Sequence, residues 1–239
     1  MRLVLAALAL ALLPTLPPAA PAAALPASEA AAPRTVVLDG VHVRLGERTR
    51  QVVTVNHRAG HEAVVTLWGL RGEEWVERFS TADGRIGYGG LVPGGRRRQG
   101  TGTTPLGTYR LPWAFGTHAA DPRWALDYRR IGRGDFWVQD NASPHYNRWR
   151  NQRQGGFRWW LPSSDPNSSE RLTDYGRQYE YAVVVEYNWD QVRHRGSGIF
   201  LHVNGRGATA GCVSAPRAFL RRLMARLDPD RAPVIAIGR

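Results

Sequence analysis

The strongest constraint on the fold is a recurrence of short β-type runs in the first half of the chain. Thr35-Val36-Val37-Leu38, Gln51-Val52-Val53-Thr54-Val55, Ala63-Val64-Val65-Thr66-Leu67-Trp68 and Glu74-Trp75-Val76-Glu77-Arg78-Phe79 are rich in β-branched and aromatic residues and are parted by Gly and polar turns. Such side chains crowd a helix but fit a pleated surface, so this region is predicted to be a meander of strands. Residues 181–187, 198–203 and 234–237 read as further strands. A helical period occurs between Pro216 and Leu227, where Phe219, Leu220, Leu223, Met224 and Leu227 recur at i, i+1, i+4, i+5 and i+8. Pro216 suits the first turn of that helix. The expected fold is therefore mainly β with one substantial helix in the C-terminal half.

The N-terminus is different in kind. Arg2 precedes the apolar run 3–13, the charged and apolar regions of a secretory signal, and that run is too short to span a bilayer. Small residues over 19–32 offer several cleavage points, and the mature chain is expected to start between about residue 24 and about residue 34. The division expected is thus 1–33, signal peptide and disordered lead-in, and 34–239, one globular domain. With 239 residues, 43% of them hydrophobic, and nine tryptophans, the chain can bury a sizeable core. It is expected to work outside the cytoplasm, in the cell wall or periplasm.

The charge balance is +12, and all 32 basic residues are Arg. Outside the cytoplasm such a surface suits anionic cell-wall polymers or membrane head groups rather than nucleic acid. In an oxidising compartment cysteines are normally paired, yet Cys212 is the only cysteine and has no internal partner. A lone thiol packs well as a small buried hydrophobe, so its neighbours must decide whether it does more.

Those neighbours are suggestive. In the strand ending at Val203, period-two alternation puts Ile199, Leu201 and Val203 on one face and Phe200 and His202 on the other. Ten residues after His202, across a turn-forming stretch, comes Ala210-Gly211-Cys212-Val213-Ser214, just before the expected helix. A loop joining strand end to helix start can bring imidazole and thiol together. Cysteine with histidine as base is a common route to an acyl-enzyme, and a helix N-terminus beside Cys212 would lower the thiol pKa. Gly211 permits unusual backbone angles, so N–H groups near Cys212 could form an oxyanion hole.

Three separated elements in the same order resemble a known family. Gly100-Thr101-Gly102-Thr103-Thr104-Pro105-Leu106-Gly107, then His202, then Gly211-Cys212, are similar to the L,D-transpeptidase (YkuD-like) catalytic domain over about residues 50–239, in a branch with a short His-to-Cys loop. The resemblance implies a β-sandwich-like fold. It also implies a cysteine-dependent acyltransferase that attacks a peptidoglycan stem tetrapeptide, releases D-alanine and passes the acyl group to an amine. By the same resemblance Cys212 is the nucleophile and His202 its base, the carbonyl of Val203 orients the imidazole, and Gly211 with Cys212 frames the oxyanion. Carbapenem β-lactams are implied as covalent inhibitors, and no metal or organic cofactor is implied. Many members carry Ser-His or Ser-x before the Gly-Cys pair and Arg two residues after the cysteine, where this chain has Ala210 and Ser214.

Other residues are weaker candidates. Asn204, Tyr187, Asn188, Tyr146 and Trp137 could contact substrate, as could Asp140, Asn141 and Asn147 in the irregular, aromatic-rich stretch 113–169. The Gly-rich segment 83–107 lacks the Gly-Lys-Ser/Thr ending of a phosphate loop. His57 and His61 are four apart but lack an evident third ligand, so no metal site is expected. An L,D-carboxypeptidase, with water replacing the amine, and a non-catalytic wall-binding module are the competing readings.

Overall fold

The computed structural model describes residues 34–239. The signal-type segment and lead-in expected over 1–33 lie outside the described residues.

Strands β1 (Arg34–Leu38) and β2 (Val41–Leu45) form a hairpin. Its two-residue turn, Asp39-Gly40, has φ of 49° and 76°, the positive values that a primed hairpin turn demands. The predicted meander follows as β3 (Gln51–His57), β4 (Glu62–Arg71) and β5 (Glu74–Arg85), paired antiparallel in that order. Shorter strands come next: β6 (Leu91–Pro93), β7 (Thr104–Arg110), β8 (Ala114–Gly116), β9 (Tyr128–Arg130), β10 (Asp135–Trp137), β11 (Trp149–Asn151) and β12 (Glu170–Arg171). The chain ends with β13 (Tyr181–Val184), β14 (Phe200–Val203), β15 (Val213–Ala215), α1 (Arg217–Met224) and β16 (Val234–Gly238).

Eleven of these strands join one mixed sheet in the order β6-β7-β16-β3-β4-β5-β15-β14-β13-β8-β9. Val53 and Val55 of β3 and Val65 and Leu67 of β4 share a single buried cluster with Val183 of β13, Leu201 of β14 and Val213 of β15. Strands far apart in the sheet can meet around one core only if the sheet curls on itself, which gives the sandwich-like cross-section. The apolar stripe of α1, Phe219, Leu220, Leu223 and Met224, closes this core. Each such side chain contributes roughly 1.5–3 kcal/mol by burial, so Leu220→Ala at this fully buried position would cost about 2–5 kcal/mol.

The mainly β fold with one substantial helix is the one expected, although two segments differ in detail. The strand expected over 181–187 stops at Val184; the Val185 and Glu186 N–H groups then turn to Ile199 O and Arg110 O. Stretch 113–169 carries short strands, and several of its aromatics form a second core instead of an exposed wall. Trp113 lies 5.9 Å from Trp137 and 5.8 Å from Trp149, and Phe115 lies 5.0 Å from Phe200, between ring centroids. No sequence period marks this cluster because each ring comes from a different short element. It packs beneath the face of β13 and β14 that carries Ala182, Val184 and Phe200, beside Cys212.

Candidate active site

Parallel pairing of β14 with β15 sets Leu201 beside Val213 and His202 beside Ser214. Cys212, two residues before Ser214, therefore projects from the same face as His202. Both belong to the lining of one cleft of about 310 Å³. The alternation expected for this strand is present: Ile199, Leu201 and Val203 enter the main core, whereas Phe200 and Cys212 share the aromatic cluster. The thiol donates to Gly198 O at 3.3 Å and accepts from the Phe200 N–H at 3.4 Å.

His202 Nδ1 lies 2.9 Å from Val203 O. A carbonyl oxygen only accepts, so Nδ1 carries the hydrogen and the neutral ring keeps its lone pair on Nε2. Tyr179 stands edge-on to the imidazole, with ring centroids 5.4 Å apart. Burial holds the imidazole down at about 4, the bond to Val203 O acting against it. Burial also pushes the Cys212 thiol up to about 12, aided by the charge of Glu170 and opposed by the Phe200 N–H and Arg97. At neutral pH the resting pair is thus thiol and imidazole, both uncharged.

This overturns one sequence expectation. The three residues of β15 and the cap Pro216 separate Cys212 from α1, so the free N–H groups of that helix do not depress the thiol pKa. The short strand was masked in the sequence because Val213-Ser214-Ala215 also reads as the approach to a helix.

The loop before the nucleophile is pinned from the far side of the cleft. Thr104 Oγ1, at the start of β7, donates to Gly211 O at 2.8 Å and accepts from the Gly87 N–H at 2.8 Å. Thr209 Oγ1 donates to Cys212 O at 2.6 Å and accepts from the Gly211 N–H at 3.1 Å. The N–H of Gly211 is therefore already committed within the loop. Gly211 itself has φ 132°, and a Cβ there would lie 2.7 Å from Arg97 Nη2 and 2.9 Å from Thr103 O. Only glycine fits that angle and that crowding.

A separate line of comparison agrees with this geometry. The family described as the L,D-transpeptidase catalytic domain (YkuD) matches residues 50–235. The chain belongs to this family. It is a domain of a cysteine-dependent, peptidoglycan-modifying class. No curated protein matches the chain. Among solved structures it is similar to the helical cell shape determining protein Pgp2 from Campylobacter jejuni, at 13% identity and TM-score 0.43, covering 80% of this chain and 48% of that one. The K307A mutant of Pgp2 matches at 12% identity and TM-score 0.41, covering 81% of this chain and 48% of that one. The chain thus spans about half the length of the solved structures it matches, at 48%.

Within this L,D-transpeptidase domain the remaining sequence candidates take supporting places around the cleft lining. Trp137 and Tyr146 are fully buried beneath it. Trp137 Nε1 donates to Asn147 Oδ1 at 2.9 Å, and the same oxygen accepts from the Gly198 N–H at 3.0 Å. Because Gly198 O receives the thiol hydrogen, Trp137 and Asn147 are linked to Cys212 through one residue, Gly198, held at both its N–H and its carbonyl. Tyr146 Oη donates to Gln99 Oε1 at 2.8 Å and accepts from the Gly196 N–H at 3.0 Å. Tyr187 and Asn188 line a different groove, and the Asn188 amide ties Val192 O to Gly196 O. Asn204 donates to Asp83 O at 2.8 Å and accepts from Ser214 Oγ at 2.7 Å. Ser214 is thus a fully buried hydroxyl that braces the loop after His202. Asp140 pairs with Arg158 at 2.5 Å, and Asn141 bonds the loop at Asn167.

Glu170, Arg97 and Tyr88 are among the cleft side chains that the sequence did not single out. Glu170 accepts from Tyr179 Oη and, at 3.2 Å, from Gln139 Nε2. Burial lifts its carboxyl to about 7 against those two bonds. Arg97, 5% exposed, reaches the cleft from the loop after Gly94–Arg96, and Tyr88 stands over Gly102. Glu170 lies in a run of polar residues and Arg97 in Arg96-Arg97-Arg98, where nothing local singles out one charge for burial.

Proposed function

We propose that this protein is a peptidoglycan L,D-transpeptidase working outside the cytoplasm. The observation that carries the reading is the shared cleft of Cys212 and His202, with Nδ1 tied to Val203 O so that Nε2 is the free basic nitrogen. The +12 charge makes anionic wall polymers suitable neighbours for such an enzyme, and the apolar run 3–13 suits export.

The proposed chemistry runs in two halves. His202 Nε2 accepts the thiol proton as Cys212 Sγ attacks the carbonyl that precedes the terminal D-alanine of a stem tetrapeptide. Collapse of the tetrahedral adduct breaks the C–N bond, and the departing amine takes the proton from His202. The thioester is then attacked by an acceptor amine, whose proton passes to His202 and on to the regenerated thiolate. Since thiol and imidazole rest uncharged in a buried pair, the proton moves as substrate is attacked. No cofactor takes part in this scheme.

Incubation of the mature protein with purified muropeptides, followed by mass spectrometry, tests the reading. Cross-linked dimers with loss of D-alanine are expected. Trimmed tripeptides alone would mean that water is the acceptor and the enzyme is an L,D-carboxypeptidase. Unaltered tetrapeptides with a folded protein would sink both readings and favour a wall-binding module.

A further inference from the structure

Arg97 is a buried cation without a counter-ion. Its side chain is 5% exposed, and among the described residues no carboxylate lies within ion-pairing distance. Its partners are neutral: Nε donates to Thr103 O at 2.6 Å, Nη1 donates to Arg195 O at 3.4 Å, and the guanidinium lies 5.5 Å from the centre of the Tyr187 ring. Two carbonyls and a ring face hold the fork in place but do not neutralise it. Guanidinium does not deprotonate in proteins, and an uncompensated charge this far from water is costly.

The Nη2 end of the fork lies against Gly211, the residue before the nucleophile. Nη2 lies 2.7 Å from where a Cβ of Gly211 would stand, so the missing side chain at Gly211 is what admits the guanidinium beside Cys212. Arg97 belongs to the same cleft lining as Cys212 and His202. The carboxyl of that cleft lining, Glu170, is occupied by Tyr179 and Gln139 and packs against Gly198 instead. A fixed fork with a free edge, next to the thiol and lacking an anion of its own, matches the geometry of a carboxylate.

We infer that Arg97 binds a carboxylate of the substrate and so restricts the reaction to donor peptides that carry a free acid beside the scissile bond. This rests on the transpeptidase reading. Two carboxylates of a stem tetrapeptide fall near that bond: the C-terminal one on the departing residue, and the side-chain one of a diamino diacid at the third position. The departing residue's carboxylate would confine cleavage to the last bond of a stem, making the enzyme an exo-acting one. A peptide extended beyond that residue would lose the ion pair.

Binding to the Cys212→Ala variant by calorimetry separates this inference from the proposed reaction, because it needs no turnover. Three synthetic tetrapeptides serve as probes: the free acid, the C-terminal amide, and the amide of the third-residue side chain. A charge-assisted pair predicts that one amidation weakens binding about tenfold to a hundredfold, and which amide suffers names the carboxylate. Adding Arg97→Gln should abolish that discrimination, and Arg97→Lys should restore part of it. Equal binding of all three peptides by the Cys212→Ala protein, or discrimination that persists in the folded Arg97→Gln variant, would overturn the assignment. The wild-type comparison stands even if Arg97→Gln fails to fold. Failure of the reaction reading appears separately, as intact muropeptides with the wild-type enzyme.

Discussion

Thr104 Oγ1 donates to the main-chain oxygen of Gly211 at 2.8 Å, joining the start of β7 to the residue before the nucleophile. The same hydroxyl accepts from the Gly87 N–H, so one buried side chain fixes two segments that bound the cleft. This bond ties the segment of the Gly-x-x-x-x-Pro-x-Gly pattern to the cysteine loop.

Thr104→Val keeps the shape and β propensity of the side chain but leaves the Gly87 N–H and a bond of Gly211 O unsatisfied. A loss of about 1–3 kcal/mol in chemical denaturation is expected. The loop should also drift, and a displacement on the order of 1 Å at the thiol can cost about a hundredfold in turnover. A variant with unchanged kcat would show that this bond does not position Cys212.

The uncharged resting pair makes a statement about pH. With the thiol near 12 and the imidazole near 4, the free enzyme holds little thiolate across the neutral range. Alkylation of Cys212 by iodoacetamide should therefore climb steadily from pH 6 to pH 10, as the thiolate fraction rises, about tenfold per pH unit. A resting thiolate and imidazolium would instead give a plateau above pH 5, and observing one would refute the neutral pair. His202→Ala should leave this slow alkylation of the free enzyme in place while lowering kcat by about a hundredfold or more through loss of the base.

How far the sequence already disclosed this site depends on range. His202 and Cys212 were legible because period-two alternation assigns a face to each residue of β14, and because a lone cysteine outside the cytoplasm asks for an explanation. The main core was legible for the same reason, through β-type runs and the i, i+4 stripe of α1. Arg97 and Glu170 were not, since their burial is decided by segments such as Gly196, Gly198 and Gly211, far away along the chain. Trp137 and Tyr146 looked like cleft walls because their sequence context is irregular; the stack of Trp137 on Trp113 and the bonds of Tyr146 to Gln99 and Gly196 join elements without a common period. The strand between Cys212 and α1 escaped because three residues are too few to show alternation.

Glu170 offers a test in which reactivity and stability move in stated directions. Its folded carboxyl sits at about 7 against an ordinary value of 4.5, so the folded state prefers it protonated. The associated stability is fully present below pH 4.5 and is lost as pH rises through about 7, a change of about 3 kcal/mol for a shift of that size. Glu170→Gln should flatten urea midpoints between pH 5 and pH 8 relative to the wild type. It should also lower the thiol pKa, because the Glu170 charge helps to raise it, and so speed alkylation at pH 8 severalfold. Slower alkylation in a folded variant would mean that Glu170 acts on Cys212 through packing rather than charge.

Covalent trapping tests the nucleophile directly. A carbapenem presents a strained amide, and attack by Cys212 Sγ opens the four-membered ring without losing any fragment, so intact mass should rise by one whole inhibitor. Cys212 is the only thiol of the chain, and peptide mapping should place the adduct there. Cys212→Ala should take up none and should remain folded, since a 9% exposed cysteine replaced by alanine removes one sulfur atom from a cluster that keeps Phe115, Trp137, Tyr179 and Phe200 together with Leu172 and Val184. His202→Ala should label more slowly by orders of magnitude, because ring opening, unlike simple alkylation at high pH, needs the proton moved off the thiol within the complex. The rate in the wild type reports how well the cleft accommodates the inhibitor before that transfer. Absence of any adduct after prolonged exposure, in protein whose thiol still titrates on unfolding, would show that His202 does not activate Cys212.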